Sequence, residues 1–185
     1  MLRTKIFNKI SCNKHLDERI EELENKLAKK EDIEVLEELA AIHYYRKEDK
    51  KAIKIYEKLV QIEAGKSEIH AFLGYLYYEE DELSKSILEL EKAVDISPNS
   101  PFVYFLLGNA YSLKGDLKEA VDAYDFAIFL DFDMYQAHID FAKKYEEMGR
   151  EEKAKKEYRA AYQIDPQCFR ATEYLKHKIE ELQKK

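Results

Sequence analysis

One 34-residue unit repeats four times without a gap between Ile33 and Cys168, and this period constrains the fold more than any other property of the chain. Aligned as 33–66, 67–100, 101–134 and 135–168, the blocks place a small residue at one register (Ala40, Gly74, Gly108, Ala142). A second small column follows twelve residues later (Ala52, Ser86, Ala120, Ala154). Between them lies His43, Tyr77, Tyr111, Tyr145, and after them Tyr56, Leu90, Tyr124, Tyr158. A third column holds Leu59, Ala93, Ala127 and Ala161. In the third block Leu106, Leu107, Ala110, Tyr111 and Leu113 recur at helical spacing, Gly115-Asp116 interrupts, and Leu117, Ala120, Val121, Tyr124, Ala127 and Ile128 resume. Each block therefore reads as two antiparallel helices joined by a tight turn. Small residues let the pair approach closely, and apolar stripes on both sides require neighbours to stack upon.

These columns resemble the tetratricopeptide repeat, whose skeleton has the same period and the same order of small and aromatic positions. The resemblance spans 33–168 and implies an all-α, right-handed solenoid of four helix hairpins with a flanking helix at each end. Pro98 and Pro166 close their blocks as the pattern asks, whereas Ala64 and Phe132 depart from it. The resemblance also implies that a concave side, lined by the first helix of each hairpin, takes a peptide segment of a partner protein. Its groove positions here include Glu34, Glu37, Ala41, Tyr44 and Tyr45, then Glu68, Ala71, Tyr75, Tyr78 and Glu79, then Phe102, Phe105, Asn109, Ser112 and Leu113. In the fourth block they read Gln136, Ile139, Lys143, Glu146 and Glu147. The expected peptide-binding residues are Tyr44, Tyr75, Tyr78, Phe102, Phe105 and Asn109: an aromatic trough open to solvent, with the Asn109 amide pairing N–H and C=O of a bound backbone. Acids around it favour a ligand with basic residues beside apolar anchors. The carboxylate clamp of chaperone-binding family members is not reproduced, since Phe105, Asp140 and Tyr174 stand where lysine, asparagine and arginine belong.

The flanks differ from the array. Residues 1–32 comprise a basic arm and an amphipathic helix in which Leu16, Ile20, Leu23 and Leu27 form one stripe. That stripe either covers the first repeat or joins a homodimer. Residues 169–185 read as a capping helix, with Lys176 in the small-residue column. The segment 1–14 carries Arg3, Lys5, Lys9 and Lys14 and no acid, so the remainder holds 27 basic against 38 acidic residues, a net of minus eleven. An acidic body argues against nucleic acid as ligand, because phosphate binding draws on clustered Lys and Arg. Membrane contact by the arm, through Leu2, Ile6, Phe7 and Ile10, is the minor reading, since so short a stretch attaches weakly.

Five glycines, three prolines and 37% charged residues suit exposed helices. No apolar run approaches the roughly 18–20 residues of a membrane span, and Met1–Ile10 lacks the apolar core of a secretory signal. Cys12 and Cys168 show no metal-ligand spacing, and the expected location is cytoplasmic, with free thiols. No cofactor and no metal is expected, because glycine-rich phosphate loops and zinc motifs are missing. The five histidines have structural explanations: His43 lies in the aromatic column, His70 and His138 share a column with Leu36 and Tyr104, and His15 and His177 sit on charged flanks. A non-catalytic adaptor follows, with two alternatives: a secretion-type or assembly chaperone holding a disordered client, and a subunit self-associating through the N-terminal helix.

Overall fold

The computed structural model describes residues 16–164 and 176–181, and every described element is an α-helix or a turn between helices. A lead helix, α1 (Leu16–Lys29), precedes four hairpins: α2 (Ile33–Tyr45) with α3 (Asp49–Ile62), α4 (Ser67–Glu79) with α5 (Leu83–Ile96), α6 (Pro101–Lys114) with α7 (Leu117–Phe129), and α8 (Met134–Glu147) with α9 (Glu151–Ile164). The chain forms two compact units divided after Asp131, the first holding three hairpins and the second the fourth.

Helix starts follow from local chemistry. The Asp32 carboxylate accepts from the Glu34 and Val35 N–H groups at 2.9 and 3.3 Å, and Asp133 accepts from Gln136 N–H at 2.8 Å. Pro101 opens α6, where a missing N–H costs nothing. The turn inside each hairpin has one left-handed residue at the same register: Lys47 (φ 64°), Asp81 (61°), Gly115 (93°) and Gly149 (65°). Only the last two are glycines, so the first two turns carry a Cβ strain of roughly 1 kcal/mol each.

Within the hairpins the small columns lie where backbones meet. A Cβ on Gly74 would come 2.7 Å from Leu90 Cγ and 3.1 Å from the Ser86 carbonyl oxygen; one on Gly108 would come 2.5 Å from the Tyr124 ring. Ala52, Leu59, Leu90, Ala93, Ala127, Ala154, Tyr158 and Ala161 are buried behind them. A polar tie lies across two of the hairpins. His70 Nδ1 meets Glu89 Oε2 at 2.6 Å, and His70 Nε2 donates to the Ala64 carbonyl at 3.0 Å. His138 Nδ1 meets Glu157 Oε2 at 2.7 Å at the same register of the fourth hairpin. The equivalent pairs in the other two are apolar, Leu36 with Ile55 and Tyr104 with Ala123.

In the first unit, hairpins are tied to one another by the aromatic column. The Tyr77 hydroxyl donates to Glu57 at 2.7 Å, and Tyr111 donates to Glu91 at 2.6 Å. Burial first, and then the adjoining carboxylate, pushes both phenols well above the ordinary tyrosine range. At this register in the first hairpin His43 turns back to Glu48 at 2.6 Å.

The leucine stripe of α1 packs on the first hairpin. Leu23 is fully buried with Leu39 and Ile42, and Leu16, Ile20 and Leu27 pack around them. Arg19 forks onto Glu38 at 2.7 and 2.8 Å, and Arg46 pairs with Asp17. The stripe is thereby used within the chain, where it covers the first hairpin. In the second unit residues 176–181 are helical; Ile179 packs against the core of Ile139, Ala142, Tyr145 and Tyr158, and Lys178 pairs with Glu146 at 2.8 Å. The rest of the expected capping helix lies outside the described residues, as do Pro166 and Cys168 at the end of the fourth block and the basic arm with Cys12. Among the described residues no helix is long and apolar enough to cross a membrane.

Candidate partner-binding face

In the first unit the first helices of the three hairpins, α2, α4 and α6, bring four of the six expected site residues into two aromatic clusters, and a fifth, Asn109, is tied to one of them. Tyr44 meets Phe72 edge-on at 6.2 Å between centroids and Tyr75 at 6.0 Å, while Phe72 lies 4.6 Å from Tyr56 and 5.9 Å from Tyr75. The Tyr44 and Tyr75 hydroxyls share a hydrogen bond of 2.7 Å, and Tyr44 reaches Glu79 at 3.5 Å. Phe102 and Phe105 lie 6.2 Å apart, with Tyr124 at 6.5 Å from Phe105. Tyr124 in turn links the second cluster to Asn109, its hydroxyl donating to the side-chain oxygen at 2.8 Å.

These contacts correct the expectation of an open trough. Tyr44 and Phe105 are 1% exposed, Tyr75 is 6% and Phe102 7%. The rings pack on one another and on the second helices, so they form the floor of the face rather than its surface. Tyr78, Tyr45 and Asn109 are half-buried and remain accessible in part. Asn109 also differs from expectation: its side-chain oxygen already accepts from the Tyr124 hydroxyl within the hairpin. Sequence spacing does not identify Phe72, Tyr56 and Tyr124 as members of these clusters. Tyr56 and Tyr124 are visible in it only as a bulky column whose role is hairpin packing.

Acids gather toward the N-terminal ends of α2 and α4. Glu34 and Glu68 are exposed and Glu37 is half-buried. Burial holds the Glu37 carboxyl above the usual carboxylate range, and Glu34, Glu63 and Glu68 push it the same way, against Lys66. The face thus has an aromatic floor, a half-buried rim of Tyr45, Tyr78 and Asn109, and an acidic end. In the second unit the corresponding helix, α8, presents exposed Gln136, Lys143 and Glu147, with Ile139 buried in the hairpin core. Among the described residues no group of three or more His, Cys, Asp or Glu is arranged to hold a metal ion.

Two family profiles match the chain: one described as TPR repeat over residues 74–115, and one described as Tetratricopeptide repeat over 103–133 and 135–168. Among solved structures, a crystal structure of MamA aligns over 82% of this chain and 89% of that one, at 22% identity and a TM-score of 0.63. A thermophilic TPR protein of Thermus thermophilus, TTC0263, aligns over 89% and 90%, at 19% identity and a TM-score of 0.57. At these identities the likeness is one of fold. No curated protein sequence matches the chain.

Proposed function

Because the chain belongs to the tetratricopeptide-repeat family, a class of protein-interaction scaffolds, we propose that it is a non-catalytic adaptor that binds a peptide segment of a partner protein on the α2–α4–α6 face. The observation that carries this reading is the acidic end of that face beside a rim of tyrosines and one amide. Glu37 is held protonated more readily than a free glutamate because it is partly buried among other acids, so a cation arriving there relieves repulsion. Tyr78 and Tyr45 supply apolar area with few rotors, and the Asn109 amino group donates to a ligand carbonyl. The floor of Tyr44, Tyr75, Phe102 and Phe105 fixes the rim in place and meets the ligand only at ring edges. The ligand class is a segment with apolar anchors and Lys or Arg, not nucleic acid.

The test is fluorescence anisotropy with a labelled twelve-residue peptide alternating Leu and Phe with Lys, against the same peptide with Glu for Lys. The Lys peptide is expected to bind at least tenfold tighter, and Tyr78→Ala or Asn109→Ala to weaken it about tenfold, the equivalent of roughly 1.4 kcal/mol. Equal affinity for the two peptides, or indifference to both substitutions, overturns the proposal.

A further inference from the structure

We infer that the outward side of α7 is a second docking surface, on which Phe126 and Phe129, with Asp122 and Asp125, hold an arginine-bearing segment of a partner protein. It uses no residue of the α2–α4–α6 face and is independent of the function proposed above.

Phe126 is 54% exposed and Phe129 83%. At about 100° per residue both fall with Asp122 and Asp125 on one side of the helix. The registers themselves face outward and are polar or small in the other hairpins: Lys58, Lys92 and Ala160 match Phe126, and Gln61, Asp95 and Gln163 match Phe129. A hairpin of this kind therefore folds without a ring at either place. Val121 and Ile128, although exposed, belong to columns used between hairpins, where Ile53 and Ile87 are buried and Val60 and Val94 half-buried. They are packing positions and no part of this patch.

The patch is also ordered in advance. Where the second hairpin has its His70–Glu89 tie, the third has Tyr104 opposite Ala123, and the Tyr104 ring stacks on Phe126 at 5.1 Å between centroids and 18° between planes. The stack holds Phe126 while leaving more than half of it open, so a ligand orders little that is not already ordered.

Charge specifies the occupant. From Glu119 to Asp131 the chain has four acids and no Lys or Arg. Asp122 and Asp125 are exposed, and neither has an ion pair among the described residues. The nearest cation on α7, Lys118, stands two turns before Phe126. On α6, which packs against α7, the one cation is Lys114 at the far end, held by Asp116 at 2.7 Å. The last turn of α7 has no basic residue to meet the negative end of the helix dipole. A guanidinium answers all of this at once, lying flat on a phenylalanine ring while forking onto a carboxylate, which an ammonium cannot do. The same acids repel an anionic membrane, and a symmetric contact with a second copy sets Asp122 and Asp125 against their own counterparts.

The test titrates the nitrogen-15-labelled full chain with a twelve-residue peptide of alternating Arg and Leu, beside the same peptide with Lys or with Glu for Arg. The Arg peptide is expected to shift the amides of residues 122–131 and to bind there at least threefold tighter than the Lys peptide, with no response to the Glu peptide. Phe129→Ser, at a position too exposed to disturb folding, weakens those shifts at least fivefold, and Tyr78→Ala leaves them unchanged. Shifts at 122–131 that survive Phe129→Ser, or that are equal for Arg and Lys, overturn the inference. A dimer in sedimentation that Phe129→Ser abolishes assigns the patch to a second copy, and binding to phosphatidylcholine vesicles that Phe129→Ser abolishes assigns it to lipid; either overturns it as well. Shifts confined to α2, α4 and α6 remove this surface and leave the proposed function standing; shifts confined to 122–131 do the reverse.

Discussion

Helices α4 and α8 occupy the same place in their hairpins and share the residues that build one: His70 and His138 in the polar tie, Gly74 and Ala142 against the second helix, Tyr77 and Tyr145 three residues further on. They part company on the remaining side. There α4 carries Ala71, Tyr75 and Tyr78, while α8 carries Ile139, Lys143 and Glu146, the last of which accepts from the Tyr158 hydroxyl at 2.7 Å and pairs with Lys178. The repeat fixes a hairpin through one set of positions and leaves another set free to specify what is bound. The proposed ligand recognition accordingly falls on the first unit, where that free set is aromatic and acidic.

The largest break in this comparison comes from the polar tie. Glu89→Ala leaves His70 buried without its carboxylate and is expected to cost about 2–3 kcal/mol in urea unfolding, whereas Glu157→Ala, at a more exposed tie, costs about 1 kcal/mol. Replacing both partners by the first hairpin's pair, His70→Leu/Glu89→Ile, restores stability to within about 1 kcal/mol of wild type. A double variant as unstable as the single one contradicts the exchangeability of polar and apolar ties. Next in size, Gly74→Leu drives a side chain into Leu90 and the Ser86 carbonyl and costs about 2 kcal/mol in the same assay.

A smaller effect separates the turns. Asp81→Gly removes a left-handed Cβ and is expected to stabilise by roughly 0.5–1 kcal/mol, while Gly149→Ala destabilises by about 1 kcal/mol; thermal melts that move in the same direction for both contradict the strain assignment. Smallest is Glu37→Gln. A carboxyl whose folded pKa is raised favours the fold at acid pH and loses that contribution as pH rises through the folded value. The variant is therefore expected to melt slightly higher than wild type at pH 7, with the gain vanishing below the ordinary glutamate range near about 4.3. A gain that persists in strong acid points to packing rather than charge.

The fold was legible because its cause is periodic: Gly74, Gly108, Ala120 and Ala154 recur where two backbones touch, and few other arrangements need small residues at that spacing. The face was legible only in outline. Position along the block places Tyr75 and Phe105 on the groove register, but burial depends on the curvature between successive first helices and on what lies over them, and neither is encoded in spacing within one block. Phe72 shows the limit: nothing in the spacing marks it as part of an aromatic cluster, and yet it links Tyr44, Tyr56 and Tyr75 into one. The His–Glu ties escape for a related reason. A histidine read alone carries no sign of a partner that lies nineteen residues away across the hairpin.

The left-handed turn residues have a kinetic corollary. Gly115 and Gly149 reverse the chain without a steric barrier, while Lys47 and Asp81 must be forced over by contacts already made elsewhere. Assembly is thus biased to begin in the third and fourth hairpins and to spread toward the amino end, an order that pulse-labelled amide exchange during refolding reads directly: late protection of α6 relative to α2 would reverse it.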